Sequence, residues 1–331
     1  MRILVTGSTG FLGKHIIEHY AERKDVELTL VGRNKDNLKS INYDESSFRS
    51  LELKDDSSLD ALFSECRFDY VIHAAAKSND WGAYEDFYEN NVDVTRNIIR
   101  ACKKYEIKRL IHISTPSIYF EYVDKEGIEE ECGVADIFVN DYAKTKWLAE
   151  LMLVDAFSMG EIDFIGIRPR GIYGEYDQTI FPKLIRLAKK GRFPLLNGGN
   201  AVIDITYVKN VVHAIDMAIG ASKRASGQFY NITDGRPLRV KDILDQVFEK
   251  VGMTVTYRKV NYQFLKTVAR LCEAVSKVTG NAPLITPYSI SLLAFNQTLS
   301  IEKAKRELGY TPKYSFEEGL QRFKERHDGK F

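Results

Sequence analysis

The sequence predicts an α/β chain, a doubly wound parallel sheet followed by a smaller α+β C-terminal lobe. Three observations predict it. Through the first half, short apolar strand-like runs alternate with segments of helical periodicity. A glycine-rich stretch, TGSTGFLG, lies between the first strand-like run and the first helical one. After Gly174 the alternation gives way to helices separated by short extended pieces.

Residues 2–5 read as a strand without polar alternation, as expected of a strand covered on both faces. Residues 11–23 have helical spacing, and 27–31 are again strand-like. A helix is predicted over 57–66, with Ser57 or Ser58 as its N-cap. Strands follow at 70–73, 109–114 and 164–168, and helices at 84–105 and 140–159, the first as one long amphipathic element. Further helices are predicted at 179–190, 208–219, 240–251 and 301–308. The domain reading is a nucleotide-binding unit over 1–175, to which about 201–220 returns, and a substrate lobe over 176–331. Residues 264–278 place Phe264, Val268, Leu271, Val275 and Val278 on one helical stripe, which reads as a face packed on that lobe. A membrane-surface or substrate-lid role for the stripe is the alternative.

Composition excludes several classes. Of the 331 residues 44% are hydrophobic and 28% charged, which suits a globular core and not a membrane-embedded or low-complexity chain. A net charge of +1 gives no reason to expect nucleic acid as a partner. Cys66, Cys102, Cys132 and Cys272 form no CxxC pair and no metal-ligand spacing, so no metal is expected. Scattered cysteines, an N-terminal apolar run that stops at Gly7 and no long apolar stretch point to a cytoplasmic protein without a spanning segment.

Gly7, Gly10 and Gly13 form GxxGxxG at the strand-to-helix turn. Gly7 permits the tight turn, Gly10 lets backbone approach a diphosphate, and Gly13 lets helix and strand pack closely. The helix start then offers unpaired N–H donors and the positive dipole end. The chain is therefore expected to bind a dinucleotide. An NAD-selective site of this kind carries an acid about 20 residues further on, for the ribose 2′-hydroxyl. Here the second strand ends in Gly32-Arg33, and a guanidinium suits a 2′-phosphate. NADP(H) is thus favoured, with NAD also admissible.

Tyr142 and Lys146 form YxxxK, and residues i and i+4 share a helix face. An ammonium beside a phenol lowers a pKa that is ~10 unperturbed, so Tyr142 is expected to exchange a proton with a substrate oxygen. Thr115, at the end of a strand, is a candidate to orient that oxygen, with its neighbour Ser114 as the alternative. Asn91 reads either as holding a water beside Lys146 or as simple bracing.

Taken together these motifs resemble the extended short-chain dehydrogenase/reductase family, the epimerase/dehydratase superfamily, over nearly the whole chain. TGSTGFLG resembles its TGxxGFLG, DYVIHAAA its DxVxHxAA, NNVDVT its NVxGT and RPRGIYG its RPxxxYG. LSIEKAKRELGYTPKYSFEEGL resembles its C-terminal signature. The resemblance implies a Rossmann fold. It implies cofactor contacts from Gly7, Thr9, Gly10, Phe11, Leu12 and Gly13 in the first loop, and from Arg33, Glu52 and Leu53 at the adenosine end. Ala74, Ala75, Ala76 and Ile113 would line the nicotinamide half with Pro169, Gly171 and Ile172, beside Tyr142 and Lys146. It makes Thr115 the catalytic hydroxyl, gives Lys146 a second role on the nicotinamide ribose, and admits a homodimer through helices 84–105 and 140–159.

Within the family, DITYVKNVVHA and GQFYNITDGRPL resemble the 3-beta-hydroxysteroid and sterol dehydrogenase branch. Pro116-Ser117 stands where sugar dehydratases carry an acid pair, and Ile203 where nucleotide-sugar epimerases carry a diphosphate-gripping arginine. The resemblance therefore implies a small, largely apolar substrate with a secondary alcohol or ketone, hydroxysteroid-like or 3-oxo-acid-like. Phe181, Phe193, Leu195, Phe264 and Leu265 are candidates for its apolar wall. The other readings are a nucleotide-sugar epimerase of the same fold and a non-catalytic NADP sensor.

Overall fold

Residues 1–327 are described by the structure, a computed structural model. A seven-stranded parallel sheet forms its centre. Strands β1 (Arg2–Thr6), β2 (Glu27–Gly32), β3 (Phe48–Ser50), β4 (Tyr70–His73) and β5 (Arg109–Ile113) are joined by Phe164–Pro169 and Gln228–Ile232. In space the order is 228–232, 164–169, β5, β4, β1, β2, β3. The direction of winding reverses between β1 and β4, and the loops leaving their C-terminal ends part there to open a crevice.

Successive residues of β1 face opposite layers. Ile3 and Val5 pack with Ile16, Tyr20 and Ile215 from helices α1 (Phe11–Ala21) and Val208–Gly220. Leu4 packs with Val71 of β4 and with Leu59, Ile98 and Leu153 from the helices on the other face. Each such side chain, fully buried, stabilises the fold by roughly 1.5–3 kcal/mol. This two-sided cover is why the strands read as unbroken apolar runs.

The chain returns to the sheet twice after Gly174, in helix Val208–Gly220 and in strand Gln228–Ile232, which pairs with Phe164–Pro169. The sequence reading assigns the first return and not the second, nor the three-residue β3. Both strands are short, and QFYNI keeps a polar Asn231 within its apolar run. A second sheet of four short strands, 238–239, 202–203, 297–299 and 125–128, lies beside smaller two-stranded pairs. Across the two parts, the Thr286 hydroxyl donates to the Asp80 carboxylate at 2.8 Å.

Three local expectations are corrected. The second helix starts at Asp56 and is capped by Asp55, which accepts from the Ser57 N–H. Ser57 and Ser58 instead donate their hydroxyls to the same carboxylate. The long helix at 84–105 is not uniform: a π-helical turn, Tyr88–Asp93, separates Tyr84–Phe87 from Val94–Lys104. Helix Tyr262–Thr279 forms, but its apolar stripe faces outward, with Phe264, Leu271, Val275 and Val278 all at least 60% exposed. The face that packs carries Tyr262, Ala269 and Ser276. Tyr262 shares a hydrogen bond with Ser291 at 2.9 Å and meets the Phe295 ring edge-on, so those neighbours choose the buried side. Among the described residues no helix is long and apolar enough to cross a membrane.

Candidate active site

The glycine loop closes the crevice from below. Gly7 has φ +68°, and a Cβ there would lie 2.7 Å from the Ala75 nitrogen. A Cβ on Gly13 would lie 2.3 Å from the Gly7 carbonyl, so helix and loop touch backbone to backbone. Gly10 is exposed and would meet only the Gly7 carbonyl at 3.2 Å, leaving its outer side open. It is also the N-cap of α1 and has no side-chain cap. Open backbone, a bare helix start and the small Ala74, Ala75 and Ala76 beyond β4 together fit a dinucleotide diphosphate.

Arg33 and Glu52 stand exposed at the neighbouring strand ends, with Gly32 in register with Ser50. Gly32 packs on Thr9, where a Cβ would lie 2.6 Å from the threonine methyl. Phe11 is half-buried and Leu12 buried at the start of α1. Leu53 is buried, its carbonyl held by the Asn97 amide at 3.2 Å. At the other end, Pro169 is buried while Gly171 and Ile172 are half-buried. That segment is fastened by the Thr206 hydroxyl, which donates to the Arg170 carbonyl at 2.5 Å.

The hydroxyl cluster lies across the crevice. Asn140 caps helix Asp141–Ser158 by accepting from the Ala143 N–H at 2.9 Å, which puts Tyr142 on the first turn and Lys146 one turn on. The Tyr142 phenol is hydrogen-bonded to Thr115. Thr115 donates to the Ser117 hydroxyl at 3.0 Å, and Ser117 meets the Tyr288 phenol oxygen at 2.7 Å. Ser114 is engaged elsewhere, donating to Glu150 at 2.5 Å. That carboxylate is gripped by Arg168, and both side chains are buried. Of the two neighbouring hydroxyls only Thr115 faces Tyr142.

Lys146 departs from expectation. Its Nζ donates to the Ile113 carbonyl at 2.7 Å and lies 3.0 Å from His112 Nε2. Burial lowers its pKa to about 8. The Tyr142 phenol is raised to about 12, because burial outweighs the opposing effect of its contact with Thr115. The expected lowering of the phenol by the lysine is therefore absent from this arrangement, since the ammonium is drawn back toward β5. His73, bonded to Thr6 at 2.7 Å, is pushed down to about 3 by burial and by the Lys146 charge, so it stands beside Lys146 as a neutral ring.

Asn91 sits in the π turn, 1% exposed. Its Oδ1 accepts from the Lys77 N–H at 2.8 Å, and its Nδ2 donates to the Lys77 carbonyl and to Thr145. The amide thus ties the loop beyond β4 to the helix carrying Tyr142. A widened turn that re-aims one side chain is a known use of π-bulges.

Some sequence candidates lie away from the cluster. Phe181, Phe193 and Leu195 belong to the main core, Phe264 is on the surface, and Leu265 packs on the 262–279 helix cluster, so the expected apolar wall is not assembled from them. The aromatic rings beside Ser117 are Tyr288 and Phe120, 5.8 Å apart. His112, Glu150, Arg168 and Tyr288 were not singled out from the sequence for these roles. His112 carries a signal, since it shares a strand face with Ser114. Tyr288, 171 residues beyond Ser117, carries none.

Comparison with known proteins gives consistent results. The family described as NAD dependent epimerase/dehydratase family matches residues 3–233. The 2-alkyl-3-oxoalkanoate reductase of Stenotrophomonas maltophilia (strain K279a) is 31% identical over 332 residues, 98% of either chain. The decarboxylating sterol-4-alpha-carboxylate 3-dehydrogenase of Saccharomyces cerevisiae is 28% identical, covering 97% of this chain and 96% of the other. Among solved structures, UDP-glucuronic acid 4-epimerase from Bacillus cereus, in complex with NAD, superposes with TM-score 0.78 at 21% identity over 98% of each chain.

Proposed function

Because the chain belongs to the NAD dependent epimerase/dehydratase family and is an NAD(P)-dependent oxidoreductase, we propose that it interconverts a secondary alcohol and a ketone on a largely apolar substrate. The observation that carries this reading is the Tyr142 phenol hydrogen-bonded to Thr115, with Lys146 one turn further on. Thr115 orients the substrate oxygen, and Tyr142 gives it a proton or takes one. Lys146 supplies positive charge behind the pair. The nicotinamide cofactor, when bound, supplies or accepts the hydride.

Two relatives support the substrate class. Their names describe a ketone or alcohol on an alkyl chain or a sterol, each with a carboxylate on the adjacent carbon. Ile203, buried in the second sheet, and Ser117, a hydroxyl within the cluster, support neither a diphosphate grip nor acid-catalysed loss of water. The test is NADPH oxidation against ketosteroids, 3-oxo acids and nucleotide sugars. Activity on either of the first two is expected, and activity confined to nucleotide sugars would overturn the reading.

The exposed Arg33 supports NADP(H) over NAD(H), since Gly32 offers no acid to hold a 2′-hydroxyl or repel a phosphate. Arg33→Ala is expected to weaken NADPH binding about tenfold, as expected for one charge-assisted contact, and to leave NADH binding nearly unchanged. Fluorescence titration of both cofactors checks this; equal loss for both would remove Arg33 from the phosphate. Leu151 and Val154, 39% and 42% exposed on helix Asp141–Ser158, support a homodimer closed through this helix and Val94–Lys104. All four cysteines are free, which supports a reducing cytoplasm.

A further inference from the structure

Two arginines leave the same strand end and meet opposite fates. Arg168 is fully provided for: its Nε and Nη2 donate to the two oxygens of Glu150, and its Nη1 to the Tyr119 phenol. Arg170 is 7% exposed, yet its Nε is buried without a hydrogen-bond partner. Among the described residues no carboxylate lies within 4.0 Å of its guanidinium. Its backbone is fixed on both sides, the N–H by the Ile232 carbonyl at 3.2 Å and the carbonyl by Thr206, so the side chain is aimed and not adrift.

We infer that Arg170 receives a carboxylate of the substrate, which makes the substrate a 3-oxo or 3-hydroxy acid. This rests on the alcohol–ketone reading above and names its substrate class. A buried guanidinium without a counter-ion is costly, and a fork of N–H donors is satisfied best by a planar carboxylate. The nearest opposing groups are the Asp204 carboxylate and the Tyr288 phenol, which attract it only at longer range. Asp204 is already engaged, accepting from the Leu299 N–H at 2.7 Å and from Thr233. Burial holds Asp204 up at about 6, whereas a carboxylate in close partnership with a guanidinium would be pulled below its usual range. Tyr288 ties the arginine to the reacting end, because its phenol meets Ser117, Ser117 meets Thr115, and Thr115 meets Tyr142. The cation is thus within electrostatic range of the phenol that closes the row of hydroxyls. A molecule with its ketone at Tyr142 and a carboxylate on the neighbouring carbon satisfies both.

The test compares a long-chain 2-alkyl-3-hydroxy acid with its methyl ester, by calorimetry and by steady-state turnover with NADP⁺. Wild type is expected to bind the acid about 100-fold more tightly than the ester, as two charge-assisted bonds allow. Arg170→Leu should bring that ratio close to one through loss of acid binding alone, and Arg170→Lys should keep part of it. Thermal melting is the second readout: removing an unpaired buried charge should leave the Arg170→Leu melting temperature equal or higher. Equal binding of acid and ester by wild type, equal loss of both in Arg170→Leu, or a clear drop in its melting temperature would overturn the assignment. Failure of the oxidoreductase reading has a different signature, acid-selective binding through Arg170 with no turnover of either compound.

Discussion

Tyr142→Phe is expected to lower kcat by ~10²–10⁴-fold while leaving cofactor affinity and melting temperature near wild type. The change removes one oxygen and keeps the ring, so the packing of the capped helix persists. What is lost is the hydroxyl proposed as the proton donor, which faces Thr115. With the phenol at about 12, the folded protein holds Tyr142 protonated across the physiological range, which is the form that reduction of a ketone requires. Single-turnover rates and a fluorescence titration of NADPH separate the two effects. A variant that keeps the wild-type rate on its true substrate would take Tyr142 out of the mechanism.

Lys146→Met should move activity and stability in opposite directions. Turnover is expected to fall at least a hundredfold, because the crevice loses the ammonium proposed to hold the nicotinamide ribose in place for hydride transfer. Stability at pH 7 is expected to rise. Burial depresses the Lys146 pKa from 10.5 to about 8, so the folded state resists a proton that the unfolded chain binds freely. The penalty is full below pH 8, fades between 8 and 10.5, and is absent above that range; this group alone makes stability increase with pH there. A difference of two to three pKa units corresponds to about 3 kcal/mol, against which the lost bonds to Ile113 and His112 set roughly 1 kcal/mol each. A gain of about 1 kcal/mol remains, a few degrees in melting temperature. Melting curves at pH 7 and pH 10 check the sign: the advantage of the methionine variant should shrink at the higher pH. A variant less stable at pH 7 and no worse at pH 10 would refute the account.

Much of the candidate site was legible because the residues proposed to act there lie close together in the sequence. The capping Asn140, Tyr142 and Lys146 lie within two helical turns, and the glycine loop is contiguous. Choosing between Ser114 and Thr115 was not possible locally, since Glu150, 36 residues away, is what turns Ser114 aside. Periodicity marked the helix at 262–279 correctly but not its packed side. An apolar stripe shows which face is greasy, whereas the side that packs here depends on Ser291 and Phe295 from another helix and its following turn. The π turn was invisible for a similar reason, because one extra residue in a turn leaves composition unchanged and shifts only the aim of Asn91.

Strand Gln228–Ile232 has a consequence for how the chain is made. It caps Phe164–Pro169, whose six residues are all buried. Until the ribosome has delivered residue 232, that strand presents an unsatisfied apolar edge, a ready template for pairing with another nascent chain. A truncation after residue 175 would hold the same edge open permanently and should accumulate in inclusion bodies. The sheet thus closes late in synthesis, and its exposure to chaperones is set by the distance along the chain between two neighbouring strands.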